Sequence, residues 1–304
     1  MKRTILIVFA LLLLPLQVFA VANWQEQTFV YGGGLSQEQI KQTSQLLGIK
    51  EGEAVLESPI YGEDLESYIG GEPTLTKDMI SSALVIKKEK GSGVNVEIKT
   101  PENISLVSKE QYEGAAVTAG IGDVTIFIAS PFGVTGESAL AGVYKAFELN
   151  GEDLSRGAMV LAQEEIEVVT GISEDIKDEE DFDKAKLAQA MVEIKEEIIA
   201  AIEKEGSITR EEIRRIIEDI LDRLDLSNLV SSVHIDSLVN FFVHFSETEG
   251  LDFSQMKEQL KGLGEELAPR VKELLKEAED SGLLDRIAIF FKELLEKIMS
   301  FLDE

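Results

Sequence analysis

The segment of the chain best suited to chemistry is a glycine-containing stretch, Ser130-Pro131-Phe132-Gly133-Val134-Thr135-Gly136-Glu137-Ser138, between a predicted strand and a predicted helix. Backbone amides at such a helix start can hold an anion or a substrate oxygen. The stretch has no lysine or arginine, and its spacing matches neither a P-loop nor a G-x-S-x-G elbow. We name Ser130, Thr135, Gly136 and Ser138 as candidate ligand-binding residues. The alternative is a structural turn in which Thr135 or Ser138 caps the helix.

Two adjacent serines, Ser81 and Ser82, are the second group of candidate ligand-binding residues. A serine hydroxyl is a weak nucleophile unless a base lies beside it. Lys87 and Lys88 follow in the same segment and could supply lysine-assisted chemistry, although nothing in the sequence selects them. Both serines are therefore candidates for holding a ligand, and no residue is named as catalytic.

Metal and cofactor chemistry has little support in the sequence. The chain has no cysteine, which excludes thiolate zinc sites, iron–sulfur clusters and disulfides. Its two histidines, His234 and His244, are ten residues apart, so on one helix they point about 80° away from each other. The acidic run at residues 178–183 lacks the order of an EF-hand loop and reads as a solvated linker. We expect no metal and no cofactor.

The overall charge excludes one class of partner. The 304 residues contain 57 acidic and 29 basic side chains, for a net charge of −28, with 44% apolar residues. A chain of this composition folds, and its length favours two domains. Its strong negative charge is the opposite of the basic surface that binds nucleic acid or anionic lipid. We expect no nucleic-acid partner.

The elements that would position these residues change character along the chain. The first half mixes strand-like and helix-like stretches, and we predict an α+β fold with a mixed or antiparallel sheet and helices against it. Ser36 and Gln39 form a capping box for the first helix. Strands are predicted at residues 28–31, 82–89, 94–100 and 123–129, with 82–89 and 94–100 paired as a hairpin, and helices at 36–48, 108–118 and 137–149.

The second half is predicted to be an all-α helical region. Only five of the 24 glycines lie beyond residue 173, and apolar residues recur at helical spacing. We divide the chain into a signal peptide (1–22), an α+β domain (23–172) and a helical domain (173–304). Helices are predicted at residues 183–205, 209–224, 232–245, 253–278 and 283–302.

The last predicted helix, residues 283–302, is the most apolar of these five. Its apolar residues recur every three or four positions, so it requires a covering surface. Three alternatives stay open: packing into its own bundle, a protein partner or helix-mediated homo-oligomer, and contact with a membrane. Its basic residues are balanced by acidic ones, whereas helices that bind membrane surfaces usually carry an excess of basic residues.

The first 22 residues indicate export. Lys2 and Arg3 precede an apolar run at residues 5–14, and small residues follow that suit cleavage after Ala20 or Ala22. Ten uninterrupted apolar residues are too few for a helix that spans a membrane. We expect a secreted, extracytoplasmic protein without a stable membrane span after cleavage. Loss of both basic residues leaves a mature chain of charge −30.

An ordered series of short segments resembles a known family. The chain is similar to the bacterial secreted proteins grouped as domain of unknown function 1002, the YpuA-like family, from about Phe29 to Leu267. The resemblance implies an exported protein of Gram-positive type, and the family has no established activity, catalytic residue or cofactor. The segments are Leu35-Ser36-Gln37-Glu38-Gln39, Ile80-Ser81-Ser82-Ala83, Gly91-Ser92-Gly93-Val94, Tyr112 with Thr118-Ala119-Gly120, Ala129-Ser130-Pro131-Phe132 with Thr135-Gly136, residues 208–213 and residues 240–246.

These observations favour a non-catalytic binding or scaffold module of the bacterial cell envelope, with an envelope protein or a wall component as its partner. The alternative is a cell-envelope hydrolase with a serine or carboxylate site in the amino-terminal domain. A cleft holding a lysine or carboxylate beside a serine would favour that alternative.

Overall fold

A computed structural model describes residue 24 and residues 27–70, 74–179 and 182–280 of the chain. The predicted signal peptide and the predicted helix at 283–302 lie outside these residues. Five strands and nine helices occupy the described part. They are β1 (Thr28–Gly32), α1 (Gln37–Leu46), β2 (Leu56–Ile60), α2 (Gly62–Ile69), β3 (Ser82–Lys87), β4 (Val94–Ile98), α3 (Lys109–Thr118), β5 (Val124–Ala129), α4 (Ser138–Leu149), α5 (Arg156–Ile176), α6 (Lys184–Glu205), α7 (Arg210–Arg223), α8 (Ser232–Glu247) and α9 (Phe253–Asp280).

The strands form one mixed sheet in the order β2-β1-β3-β5-β4. β1 runs parallel to β2, and β5 runs parallel to β4. β3 lies in the centre and is antiparallel to both of its neighbours. The helices that follow the sheet complete an α+β fold, as the sequence predicts.

The predicted hairpin between residues 82–89 and 94–100 is wrong. β3 and β4 do not pair, because β5 lies between them and bonds to both strands. The loop between β3 and β4 is tied to the start of β5, where Asp123 Oδ1 accepts hydrogen bonds from the amides of Gly91 (2.9 Å) and Gly93 (3.1 Å). α3 then provides the crossover that a parallel β4–β5 pair requires.

Alternation along the strands separates two hydrophobic cores. On β1 and β3, Phe29 and Leu84 face a small cluster with Leu47, just beyond the end of α1. Val30 and Ala83 face the opposite side and belong to a large cluster that includes residues of α3 to α9. Successive side chains on a strand point to opposite faces, so one strand can serve both cores.

The helical half agrees with the pattern of the sequence. Its helix α7 begins with a capping box at Thr209, and the box predicted at Ser36 in the first half also forms. α5 runs from Arg156 to Ile176 and so passes through the division placed after residue 172, and one core cluster contains residues from both sides. The division into two domains stays a prediction. In the described part of the chain, no helix combines the length and apolar character needed to cross a membrane.

Candidate functional site

Three of the six predicted ligand-binding residues meet at one junction. β3 and β5 are antiparallel, which brings the residue before β3 close to the loop after β5. Ser81 Oγ donates to the carbonyl of Gly136 (3.1 Å) and lies 2.6 Å from Ser138 Oγ. The hydroxyl of the buried Tyr112 donates to the same Gly136 carbonyl at 2.6 Å. The hydroxyls of Ser81 and Tyr112 thus bind the loop to the start of β3 and to α3.

Gly136 occupies a position that only glycine suits. Its φ is +105°, and an added Cβ would lie 2.5 Å from the Tyr112 hydroxyl. α4 then begins after Glu137, which makes no side-chain cap hydrogen bond. The predicted capping by Thr135 or Ser138 is therefore wrong, because Glu137 holds the cap position and Ser138 is already the first helical residue.

The other three predicted residues have hydrogen-bond partners outside this junction. The Ser82 hydroxyl accepts a hydrogen bond from the amide of Gly32 at 3.1 Å. Ser130 Oγ donates to a carbonyl of its own turn at 2.6 Å. The Thr135 hydroxyl donates to the carboxylate of Glu137 at 3.1 Å on the surface. The structure thus divides the six residues among several places, and their role in ligand binding stays a prediction.

Three of the four bases that the sequence names have carboxylate partners: Lys87, His234 and His244. Lys87 Nζ pairs with Glu152 at 3.0 Å, and lies five residues from Ser82 along β3, which is about 17 Å in a strand. His234 bonds to Asp175, and His244 bonds to Glu164 at 2.6 Å. Each of these bases therefore belongs to an ion pair or hydrogen bond with an acid.

A buried ion pair between α5 and α6 was missed by the sequence analysis. Lys195 Nζ lies 2.6 Å from Glu165 Oε1, and the two side chains are only 1% and 4% exposed. Lys195 also donates to the carbonyl of Gly114 at 3.2 Å, and the Thr118 hydroxyl donates to the other carboxylate oxygen of Glu165. Burial lowers the pKa of Lys195, while the Glu165 carboxylate opposes that change.

Glu113 on α3 is a second buried carboxylate near this pair. Burial raises its pKa to about 7, against hydrogen bonding from the amide of Val96 (2.9 Å) and the charge of Lys109 (3.4 Å), both of which lower it. A carboxyl group with this pKa can hold or release a proton near neutral pH. Perturbed acids in a cleft are a common mark of functional sites.

The cavity beside these residues is too small for an organic ligand. It lies among α3, α5, α6 and α9, and its volume is about 20 Å³. One water molecule needs about 10–15 Å³ of such space. Leu263 and Leu267 of α9 cover it. In this conformation, the cluster of Glu113, Glu165 and Lys195 therefore has room for little more than a single water.

A larger pocket lies between the β3–β4 loop and α9. It has a volume of about 150 Å³ and is lined by Gly91, Ser92, Gly93, Val94, Asn95, Glu258, Gln259, Gly262, Leu263 and Glu266. Gln259 is 3% exposed, and its carbonyl oxygen Oε1 has no hydrogen-bond partner. A buried acceptor without a partner costs free energy, which an ordered water or another donor would relieve.

Within the part of the chain that the structure describes, the side chains form no cation site of the usual acidic or imidazole type. Among the residues that it describes, no group of three or more histidine, aspartate or glutamate side chains is placed to hold a metal ion. Most of the carboxylates nearest the pocket have other partners: Glu266 pairs with Lys109 at 2.6 Å, and Asp123 receives two backbone amides.

Comparisons with known proteins place the chain in a family. Residues 31–263 match the family model described as "Protein of unknown function (DUF1002)". The chain is 26% identical over 240 residues to "Uncharacterized protein YpuA" of Bacillus subtilis (strain 168), covering 78% of this chain and 76% of that protein. No solved structure matches the chain significantly. The match extends over most of the fold, and the chain belongs to the DUF1002 family, as its short sequence segments predicted.

Proposed function

We propose that this protein is an exported, non-catalytic binding module of the bacterial cell envelope. Support for export comes from the basic residues, the apolar run and the small residues of the first 22 positions. Support for binding comes from one observation: the unpartnered carbonyl oxygen of Gln259 in the wall of the pocket between the β3–β4 loop and α9.

The pocket is large enough for a small group. Its volume of about 150 Å³ is roughly ten times the space that one water needs. Gly91 and Gly93 of its rim both have positive φ angles, a conformation that favours glycine. Because glycine has no side chain, neither residue fills the pocket. A terminal amine, a hydroxyl-bearing group or part of a sugar would fit this space.

The α9 side of the pocket carries acceptors. The carboxylates of Glu258 and Glu266 belong to its lining, and Gln259 Oε1 is buried without a partner. The two glycine amides of the loop already donate to Asp123. A ligand rich in hydrogen-bond donors, such as an ammonium or polyhydroxyl group of a wall component, therefore suits the site, whereas an anion would be repelled.

The alternative, a cell-envelope hydrolase, has less support from the geometry. The hydroxyl groups of Ser81, Ser82 and Ser130 all bond to backbone groups. Lys87, the only lysine of β3, pairs with Glu152. Activation of a serine requires a base within hydrogen-bonding distance, so this arrangement favours holding the loops in place over nucleophilic attack.

A wall-binding assay tests the proposal. Purified chain starting at Asn23 is mixed with insoluble cell wall from a Gram-positive bacterium and sedimented. We expect the chain to pellet with the wall, Gln259→Leu to weaken that binding at least fivefold, and the exposed α9 variant Glu273→Gln to bind normally. Circular dichroism confirms that each variant is folded.

The same mixtures distinguish binding from hydrolysis. The proposal expects no release of soluble wall fragments over time. Fragment release that disappears in a folded Ser81→Ala variant would establish the hydrolase instead. Failure to bind wall, or equal binding by the Gln259→Leu variant, would remove the pocket as the binding site.

A further inference from the structure

The pocket between the β3–β4 loop and α9 has negatively charged walls. Its lining includes the carboxylates of Glu258 and Glu266 and no lysine or arginine. Glu258 Oε1 lies 4.0 Å from the place where a Cβ on Gly91 would stand, and Gln259 Oε1 lies 4.0 Å from the same place on Gly93. Both side-chain oxygens of α9 are therefore close to the loop that forms the opposite wall.

These charges favour an ammonium group over a neutral hydroxyl group. An ammonium offers three hydrogen-bond donors and is also attracted by a carboxylate, whereas a hydroxyl offers one donor and no charge. The exposed carboxylate of Glu258 has no ion-pair partner among the described residues. Lys90 precedes Gly91 in the loop, but it is exposed and does not belong to the lining.

Glu266 connects this pocket to the buried Glu113 of α3. Lys109 Nζ lies 2.6 Å from Glu266 Oε1 and 3.4 Å from Glu113 Oε1, so one cation contacts both carboxylates. Glu113 also accepts a hydrogen bond from the amide of Val96 on β4, directly after Asn95 in the pocket lining. The carboxyl group of Glu113 is therefore separated from a wall of the pocket by a single cation.

Charged groups from several elements surround Glu113. They are Lys109 and Glu110 on α3, Glu165 on α5, Lys184 and Lys195 on α6, and Glu266 on α9. Glu165 and Lys195 pair with each other at 2.6 Å, so their charges largely cancel. Burial raises the pKa of Glu113 to about 7, and the charge of Glu266 adds to that rise, against the Val96 amide and Lys109. Glu113 thus gains its negative charge as the pH rises through about 7.

We propose that the pocket between the β3–β4 loop and α9 binds an ammonium group, and that ionisation of Glu113, acting through Lys109 and Glu266, strengthens this binding. The inference rests on the proposed binding function of the same pocket. When Glu113 is neutral, the charge of Lys109 is opposed by Glu266 alone. When Glu113 is ionised, Lys109 is shared between two carboxylates, and the added negative charge attracts a cation in the pocket.

The size of the effect follows from Coulomb's law. A unit charge about 10 Å from a bound cation, at an effective dielectric constant of about 35, changes the affinity about fivefold. Because Glu113 is partly ionised between pH 6 and pH 8, the affinity for an ammonium ion should rise about threefold over that range. Linkage is reciprocal, so a bound ammonium favours ionised Glu113, and binding at pH 7 should release about 0.3 proton.

Titrations with two small probes test the proposal. n-Butylammonium chloride and n-butanol are similar in size and differ in charge. Each is titrated into the purified chain starting at Asn23 at pH 6 and pH 8, at one low ionic strength, and binding is followed by NMR. The variants are Glu113→Gln, which cannot ionise, and the control Glu110→Gln, which removes a carboxylate of the same helix that lies 3.8 Å from Arg270. Circular dichroism checks the folding of each.

We expect the parent to bind butylammonium more tightly than butanol, and about threefold more tightly at pH 8 than at pH 6. The Glu110→Gln variant should show the same pH dependence. The Glu113→Gln variant should bind butylammonium at both pH values about as tightly as the parent does at pH 6. Equal affinities of the parent at the two pH values, or a pH dependence kept by Glu113→Gln, would overturn the proposal. So would butanol binding as tight as that of butylammonium.

Proton release gives a second measurement that requires no variant. A pH-stat titration of the parent at pH 7 should detect about 0.3 proton released for each butylammonium bound, and no release would contradict the link to Glu113. The wall-binding assay keeps the two proposals apart. A chain that pellets with wall but binds butylammonium without pH dependence refutes only the role of Glu113. A chain that binds neither wall nor butylammonium refutes the binding function itself.

Discussion

Replacing Lys195 by methionine tests the account of the buried ion pair most directly. The substitution removes the 2.6 Å contact with Glu165 and the 3.2 Å hydrogen bond to the Gly114 carbonyl, while it keeps the length of the side chain. Glu165, 4% exposed, would retain Thr118 as its hydroxyl donor but lose its counter-charge. Breaking such a pair typically costs about 3–5 kcal/mol. That is a large part of the usual total of about 5–15 kcal/mol.

The double variant Glu165→Gln/Lys195→Met separates charge from packing. It removes both charges and preserves an acceptor for the Thr118 hydroxyl. We expect it to regain most of the lost stability, because replacing a buried ion pair with neutral groups of similar volume is often close to neutral. The strong non-additivity of the two substitutions measures the coupling between the partners.

Urea unfolding followed by circular dichroism provides the free energies by linear extrapolation. Lys204→Met serves as the control, because its ion pair with Glu205 is on the surface and should contribute nothing measurable. A Lys195→Met variant that loses less than about 1 kcal/mol, or a double variant no more stable than that single one, would refute the reasoning.

Four further outcomes are expected. The Glu113→Gln variant should exceed the parent in free energy of unfolding by up to about 3 kcal/mol at pH 8 and nearly equal it at pH 4. The raised pKa of about 7 means that the folded parent loses free energy of unfolding as the pH rises from about 4.5 to 7 and Glu113 becomes charged. Equal pH profiles of the two proteins in urea unfolding would contradict this. Gly136→Ala should lose about 2 kcal/mol or more, whereas Gly133→Ala, with no neighbouring atom within 4 Å, should change little; similar melting temperatures for the two would exclude the strain. The Gln259→Leu variant should have a free energy of unfolding equal to or above that of the parent, because the substitution removes an acceptor without a partner. A clearly lower free energy in urea unfolding would show that the amide has a structural partner. Moderate salt should raise the melting temperature by screening a net charge of −28, and a lowered value would contradict the repulsion.

Helix starts and helix bounds could be predicted from the sequence, because they depend on residues that are close together in the chain. The predicted capping box at Ser36 formed, because it needs only residues three positions apart, and the helix predicted from residue 108 is capped by Ser108. The apolar periodicity of the second half likewise located α6 to α9 to within a few residues at each end.

Pairing over a long distance was the main failure. Two β-prone runs around Gly91 and Gly93 have the local signature of a hairpin. In the structure the apolar strand β5 lies between them and pairs with both β3 and β4, so the two runs do not pair with each other. All six residues of β5 pair with β3 and five of them pair with β4, and nothing near residue 90 encodes that choice. Sequence spacing alone does not show which strand becomes a neighbour.

The polar sites were predicted only in part. Ser81, Gly136 and Ser138 do lie together, although as mutual hydrogen-bond partners. The Glu165–Lys195 pair could have been noticed, because both residues sit at apolar-spaced positions of their helices. Gln259 could not, since its lack of a partner depends on how α9 meets a loop more than 160 residues earlier.

The position of β5 has a consequence for the chain as it is made. A fragment released before Ala129 would contain β3 and β4 with the hydrogen-bonding edges that face β5 left unfilled. Such open edges recruit strands from other molecules. The sheet can therefore close only after β5, the last of its five strands in chain order, has been made.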